Sequence, residues 1–204
     1  MNEKIIGITG GLATGKSTVS DYLERQYDLK VLDADLYARE ATEKNNSILG
    51  EIVNRYGQKI LLDSGQLDRL QLAQIIFNQD QEKKWLENLI HPYVKKRFLE
   101  DLHSSNDDVI VFVVPLLFEV EMQDMVDETW LVTCSPQQQI ERVIKRNSLS
   151  KEQALARINN QWDLDTKRNL ADLIIENTED LNYLYKQIDR AIALSKIINN
   201  IKKL

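Results

Sequence analysis

Cysteine is almost missing from this chain of 204 residues: Cys134 stands alone, and histidine is confined to His91 and His103. One thiol cannot form an intrachain disulfide, and one thiol with two imidazoles cannot build a thiolate metal cluster, so no such staple is available to the fold. Seven glycines and three prolines leave no low-complexity linker, and no repeat is visible. No stretch approaches the ~20 apolar residues of a membrane span, and the apolar run after Met1-Asn2-Glu3-Lys4 is too brief for a secretory signal. The expectation is a cytoplasmic, reduced protein without a membrane partner. A broad basic surface is lacking too. The formal net charge of −6 argues against nucleic acid as a partner, yet a few local cations and backbone N–H groups suffice for a phosphorylated small ligand.

What is present is the balance of an ordinary globular chain, 43% hydrophobic and 28% charged, long enough for one α/β domain with insertions. Short continuous apolar runs recur at Ile5-Ile6-Gly7-Ile8, Val31-Leu32, Val109 to Val114, Trp130-Leu131-Val132 and Leu173-Ile174-Ile175. Their β-branched content and lack of alternation predict strands covered on both faces of a parallel sheet. Helical patterns separate them, most clearly where Leu181, Leu184, Tyr185, Ile188, Ile192 and Ile198 recur at steps of three and four. The fold class expected is therefore α/β, a doubly wound parallel sheet of about five strands. Two intervals are too long for single crossovers. The first, about 35–107, carries helical patterning from Leu70 to Phe77 and from Trp85 to Leu102 and reads as a helical insertion for an acceptor. The second, about 147–170, is polar, carries Arg157, Lys167 and Arg168, and reads as a mobile helical lid. Residues 1–34, 108–146 and 171–204 remain as the core of a single domain.

The chemistry is concentrated in Gly10-Gly11-Leu12-Ala13-Thr14-Gly15-Lys16-Ser17, which matches G-x-x-x-x-G-K-[ST] between a strand-like run and a helix-compatible one. Glycines permit close backbone approach, so that successive N–H groups and a helix N-terminus point at phosphates. Lys16 is placed for the terminal phosphates and Ser17 for Mg²⁺. Beyond the predicted second strand come Asp33-Ala34-Asp35, at the sheet edge where open α/β folds bind ligands. Along an extended chain their side chains would share one side, one for the metal and one for an acceptor hydroxyl; alternatively the pair caps a helix beginning near Leu36. Arg142 and Arg146, four apart, project from one helix face and suit a phosphate-transfer site or a solvated surface.

The joint order of these pieces resembles the dephospho-coenzyme A kinase family over nearly the whole chain. The more specific segments are Leu32-Asp33-Ala34-Asp35 with Ala38-Arg39, Gly65-Gln66-Leu67-Asp68-Arg69, Leu86-Glu87 with His91-Pro92, and Pro115-Leu116-Leu117-Phe118-Glu119. Gln139, Ile140, Arg142, Arg146, Gln161 and Ala171-Asp172 to Asn177 complete the pattern. The resemblance implies transfer of a phosphoryl group from ATP, with Mg²⁺, to the ribose 3′-hydroxyl of dephospho-coenzyme A. It implies Asp35 as general base or orienting group, Asp33 with Ser17 on the metal, and Arg146, supported by Arg142, on the ATP phosphates. Gly11, Leu12, Ala13, Thr14, Gly15, Lys16, Ser17 and Thr18 would hold the nucleotide, and the segment ending in Asn177 would border the adenine. Arg39, Leu67, Arg69, His91 and Pro92 would shape the acceptor pocket.

Two departures stand beside it. The third strand ends Val113-Val114-Pro115, without the aspartate that often holds magnesium there, and the turn at Lys44-Asn45-Asn46 lacks Pro-Gly. His91 also reads as a packed histidine at a helix junction, and Trp85, Trp130 and Trp162 read as packing residues, Trp162 the best candidate for an exception. A shikimate- or nucleotide-kinase-like enzyme, or a nucleotide-gated switch, remains the alternative function; the chain lacks a guanine-specifying Asn-Lys-x-Asp run, which counts against the switch. Oligomeric state has no signature in the sequence.

Overall fold

The computed structural model describes residues 4–202, with side chains through Ser195. Strand β1 (Lys4–Gly10), β2 (Lys30–Asp33), β3 (Val109–Val113), β4 (Glu128–Thr133) and β5 (Leu173–Glu176) form one parallel sheet in the order β2-β3-β1-β4-β5. Ile6 lies beside Val111 of β3 and Glu128 of β4, so β1 is central, with neighbours on both sides. β4 in turn pairs with β5, Val132 beside Ile175. The doubly wound expectation is met, and each apolar run of the sequence is a strand.

Chain contacts divide the molecule into two units, Met1–Leu32 with Asp107–Leu204, and Asp33–Asn106. In the sheet unit, α1 (Lys16–Tyr27) and α9 (Leu181–Lys202) cover one face. Alternate residues point into that layer: Ile6 and Ile8, Val111 and Val113, Trp130 and Val132, and Ile175, packed on Val19, Leu23, Leu184 and Ile188. This is the period of two expected of strand side chains meeting the three-to-four step of helices. Ile198, part of the periodicity in α9, lies outside the described side chains. Tyr22 and Tyr27 of α1 both donate to Asp189 Oδ1 of α9, at 2.9 and 2.8 Å, and burial with that shared carboxylate pushes the Tyr27 phenol up to about 12. After β4, α6 (Pro136–Asn147) opens with proline and a Ser135–Gln138 capping box. Two shorter helices, α7 (Lys151–Ile158) and α8 (Leu164–Arg168), occupy the polar interval before β5. Among the described residues no helix is long and apolar enough to cross a membrane.

The helical unit comprises α2 (Ala34–Glu40), α3 (Ser47–Tyr56), α4 (Arg69–Asn78) and α5 (Asp80–His103) around Ala41, Ile48, Leu49, Ile52, Ile60, Leu67, Leu72 and Leu86. Asn45, where the sequence lacks Pro-Gly, takes a left-handed φ of 74°, a conformation asparagine tolerates. Two sequence expectations are corrected here. Asp35 is not on an extended segment: Asp33 ends the strand and the helix starts at Ala34, so the two-residue step is helical. His91 and Pro92 are not at a junction but inside α5. Leu86 on one side of Pro92, and Val94 and Phe98 on the other, are buried, so both halves of the helix stay packed although proline removes one N–H donor.

Candidate active site

The loop between β1 and α1 takes its shape from two glycines. Gly10 has φ 152° and a Cβ there would run into the Val132 carbonyl; Gly15 has φ 106° and a Cβ there would run into the Asn177 side-chain amide. Ala13 also sits at positive φ, 58°. Gly15 is the N-cap of α1 and supplies no side-chain cap, and the first turn holds no acidic residue. The helix therefore presents its first N–H groups and the positive end of its dipole without a competing carboxylate, the requirement for gripping a phosphate. Lys16 Nζ lies across the loop, donating to the carbonyls of Gly10 and Gly11 at 2.9 and 2.8 Å. Ser17, the next residue, is exposed, and Thr18 behind it is half-buried.

Side chains from distant positions bracket this loop. Leu12 has both backbone groups engaged: its N–H donates to Gln161 Oε1 at 2.9 Å, and its carbonyl accepts Gln139 Nε2 at 3.0 Å. The Thr14 carbonyl accepts Asn177 Nδ2 at 2.9 Å and Arg142 at 3.5 Å, and Arg142 also donates to the Asn177 carbonyl at 3.0 Å. Of the two arginines on α6, the structure brings Arg142 to the loop. Arg146 is exposed in the last turn, where its Nε donates to Asn147. Gln139 and Gln161 were visible in the sequence only as parts of a pattern; glutamine has no charge to advertise a role. They also line a cavity of about 860 Å³ with Cys134, Ser135, Pro136 and Thr178. Cys134 is buried, and burial raises its thiol above the ordinary value, so it is a poor nucleophile.

The polar interval holds a correction. Lys167, grouped by sequence with the cations of a lid, is fully buried and sits 2.7 Å from Glu119 Oε1. Arg168 reaches Glu176 at 3.4 Å, and Arg157 is exposed. Trp130 is wholly buried, Trp85 packs edge-on against Tyr56 under Arg55, and Trp162 is 46% exposed.

In the helical unit, Asp33 Oδ1 accepts the Asp35 N–H at 2.7 Å, the N-cap bond of α2. Capping is thus one duty of Asp33, while Asp35 is exposed. Asp35 lines a cleft of about 330 Å³ with Arg39 and Arg69 over a floor that includes Leu67, Leu72 and Ile76. Arg69 is held there by a bond from its guanidinium to the Arg39 carbonyl at 3.2 Å. From α5 the cleft takes Leu86 and Ile90, one turn apart; His91 and Pro92 are not among its lining residues. Leu72, Ile76 and Ile90 are lining residues that sequence reasoning did not assign to the acceptor, and Leu86 was named there only as part of the family pattern; the four-residue spacing of Leu72/Ile76 and Leu86/Ile90 was the available signal. His91 is half-buried, and burial lowers its pKa from the ordinary imidazole value.

An open apolar floor with acid and arginine at its rim, and a glycine loop ending in Lys-Ser at a helix N-terminus, are the parts of a small-molecule phosphotransferase. Comparison with known proteins agrees. A family model described as dephospho-CoA kinase matches residues 4–182. The dephospho-CoA kinase of Trichormus variabilis is 48% identical over 192 residues, 94% of this chain and 98% of its own. Among solved structures, TT1252 from Thermus thermophilus superposes with TM-score 0.83 at 32% identity, covering 96% of this chain and 98% of that one. The dephospho-CoA kinase from Campylobacter jejuni follows at TM-score 0.71 and 27% identity, covering 97% and 100%. The chain belongs to the dephospho-CoA kinase family.

Proposed function

We propose that this protein transfers the γ-phosphoryl group of ATP to the ribose 3′-hydroxyl of dephospho-CoA, in the cytoplasm and with Mg²⁺ bound to the nucleotide. The observation that carries the reading is the loop itself: Lys16 poised over it at the uncapped N-terminus of α1. The N–H groups and Lys16 hold the β- and γ-phosphates and offset the charge that spreads over the transferred oxygens. Arg142, anchored on the loop carbonyl of Thr14, adds charge beside them, and Arg146 is assigned the outer phosphate contact. The cavity beside Gln139 and Gln161 has the volume for a nucleoside.

Asp35 is the group assigned to the acceptor. It takes the hydroxyl proton as the ribose oxygen forms its new bond to phosphorus, and the bond from phosphorus to the β–γ bridging oxygen breaks to release ADP. Arg39 and Arg69 are assigned to the acceptor's pyrophosphate and the apolar floor to the remainder of the molecule. The donor set suits magnesium. Among the described residues no group of three or more His, Cys, Asp or Glu could cage a metal, and Mg²⁺ keeps several waters and rides on substrate phosphates with one or two protein oxygens. Ser17 and Asp33 are assigned those contacts. When bound, the ion neutralises charge on the β- and γ-oxygens.

The test is mass spectrometry of the product from ATP and dephospho-CoA, beside shikimate and nucleoside monophosphates as rival acceptors. A product one phosphoryl group heavier than dephospho-CoA is expected. Transfer to a rival alone would overturn the reading.

A further inference from the structure

The stretch from Gln161 to Lys167, which joins α7 to α8 and enters α8, is fastened to the glycine loop and to the chain just past β3. Gln161 accepts the Leu12 N–H at 2.9 Å. The next residue, Trp162, donates its backbone N–H to Glu119 Oε1 at 3.2 Å. Lys167 approaches the same Oε1 at 2.7 Å and donates to the Pro115 carbonyl at 3.2 Å. That carbonyl also accepts the Thr9 hydroxyl at 3.1 Å. The contacts close into a ring. They run from Thr9, just before Gly10, through Pro115, Lys167, Glu119, Trp162 and Gln161 to Leu12 inside the loop.

Burial makes the ring stiff at one place. The Lys167 side chain has no exposed surface and Glu119 retains 13%. Glu119 Oε2 is buried without a hydrogen-bond partner among the described residues, so the carboxylate leans on Lys167 for its counter-charge. A buried ammonium and carboxylate hold each other because either alone would be stranded. Neither phosphate binding nor acceptor binding accounts for a buried lysine here.

We propose that Gln161 is a positioning residue for the phosphoryl donor, acting through Leu12, and that the buried Glu119–Lys167 pair is the anchor that keeps it in reach. The proposal rests on the kinase reading above. The loop's N–H groups must already be aimed where charge develops, and a misplacement of about 1 Å costs on the order of 10²-fold in rate. Gln161 fixes the loop where it leaves β1, and Trp162 and Lys167 keep Gln161 from drifting with α7 and α8.

The test uses the full chain and two readouts, amide hydrogen exchange at Leu12 without nucleotide and steady-state phosphorylation of dephospho-CoA. Gln161→Met removes the acceptor at similar size and buries no charge. Its Leu12 amide should exchange about 10-fold faster or more, and kcat should fall by roughly 10- to 10²-fold with KM for dephospho-CoA unchanged. Gln161→Glu retains an acceptor oxygen and should restore the slow exchange. The double variant Glu119→Leu/Lys167→Met replaces the pair by apolar groups, a change that often leaves stability intact, yet it removes the Trp162 acceptor and should reproduce the loss in both readouts. Adding Gln161→Met to it should cost nothing more, since the three act as one unit. Unchanged Leu12 exchange in Gln161→Met, full turnover in the folded apolar pair, or losses that simply add would each overturn the proposal. Should the apolar pair fail to fold, Gln161→Met decides alone. Should the wild-type chain not phosphorylate dephospho-CoA, the functional reading falls, and the exchange measurement still judges the ring.

Discussion

Asn177, just past the end of β5, donates its side-chain amide to the Thr14 carbonyl at 2.9 Å, and a Cβ on Gly15 would occupy the space that amide fills. The last strand thereby fixes the conformation of the loop that follows the first, and the residue expected beside the adenine has a contact with the loop as well. Gly15→Ala should suffer twice, from a side chain at φ 106°, about 1–2 kcal/mol, and from the collision. Thermal melts should show the drop, and ATP affinity should weaken with it. Adding Asn177→Ala should recover the collision part of the stability but not the backbone part; full recovery would mean the φ penalty is absent.

Lys16→Ala removes the ammonium that lies across the loop on the carbonyls of Gly10 and Gly11. Turnover should fall by about 10²–10³-fold, the cost of losing one preorganised donor at developing charge. Near-normal turnover in a folded Lys16→Ala protein would remove the loop from the mechanism.

Asp35→Asn should spare ATP binding and cut transfer by roughly 10²–10⁴-fold, the range for a lost general base. Nucleotide titration and turnover, measured on one preparation, separate the two effects. Weak ATP binding with unimpaired kcat would reassign Asp35 to the donor side.

Asp33 caps α2 and is also proposed as a magnesium contact, and two substitutions can part these roles. Asparagine still caps α2 by accepting the Asp35 N–H, whereas alanine cannot, and losing the cap costs about 1 kcal/mol. Asp33→Asn should therefore keep the cap while its Mg²⁺ requirement rises, and Asp33→Ala should lose the cap as well. Equal Mg²⁺ dependence of Asp33→Asn and wild type would leave the residue with capping only.

Acid sensitivity of the helical unit should trace to Glu82. Its carboxyl is held down to about 2, first by hydrogen bonds from Arg55, at 2.6 and 2.8 Å, and then by the Tyr56 hydroxyl. A carboxyl depressed in the folded state stabilises it above the unfolded value near 4.5, and that stabilisation is lost as pH falls towards 2. Denaturation followed across this window should show a shallower pH dependence in Glu82→Gln than in the wild type. Identical slopes would place the acid sensitivity elsewhere.

The sheet could be read from sequence because each strand is a short β-branched run covered on both faces, as at Val109–Val113, and the loop because Gly-Lys-Ser chemistry is local. The misreadings share a cause: the deciding partner lies far along the chain. Lys167 looked solvated among polar neighbours until Glu119, 48 positions away, gave it a buried counter-ion. Pro92 suggested a break, but packing of Leu86, Val94 and Phe98 keeps α5 whole. The start of α2 at Ala34 goes with one capping bond at Asp33, which the sequence offered only as the alternative to an extended segment. The glutamines on Leu12 left no local trace beyond their identity, since an uncharged amide reveals its target only when the chain is folded.

The helical unit is one uninterrupted stretch, Asp33–Asn106, whereas the sheet unit is assembled from the sequence on either side of it. Two crossover points in a gene would therefore exchange everything assigned to the acceptor while leaving every residue of the glycine loop and its bracket untouched. The same two points mark where a chimera with altered acceptor preference should be joined, with an aspartate kept at position 33 for its proposed magnesium contact.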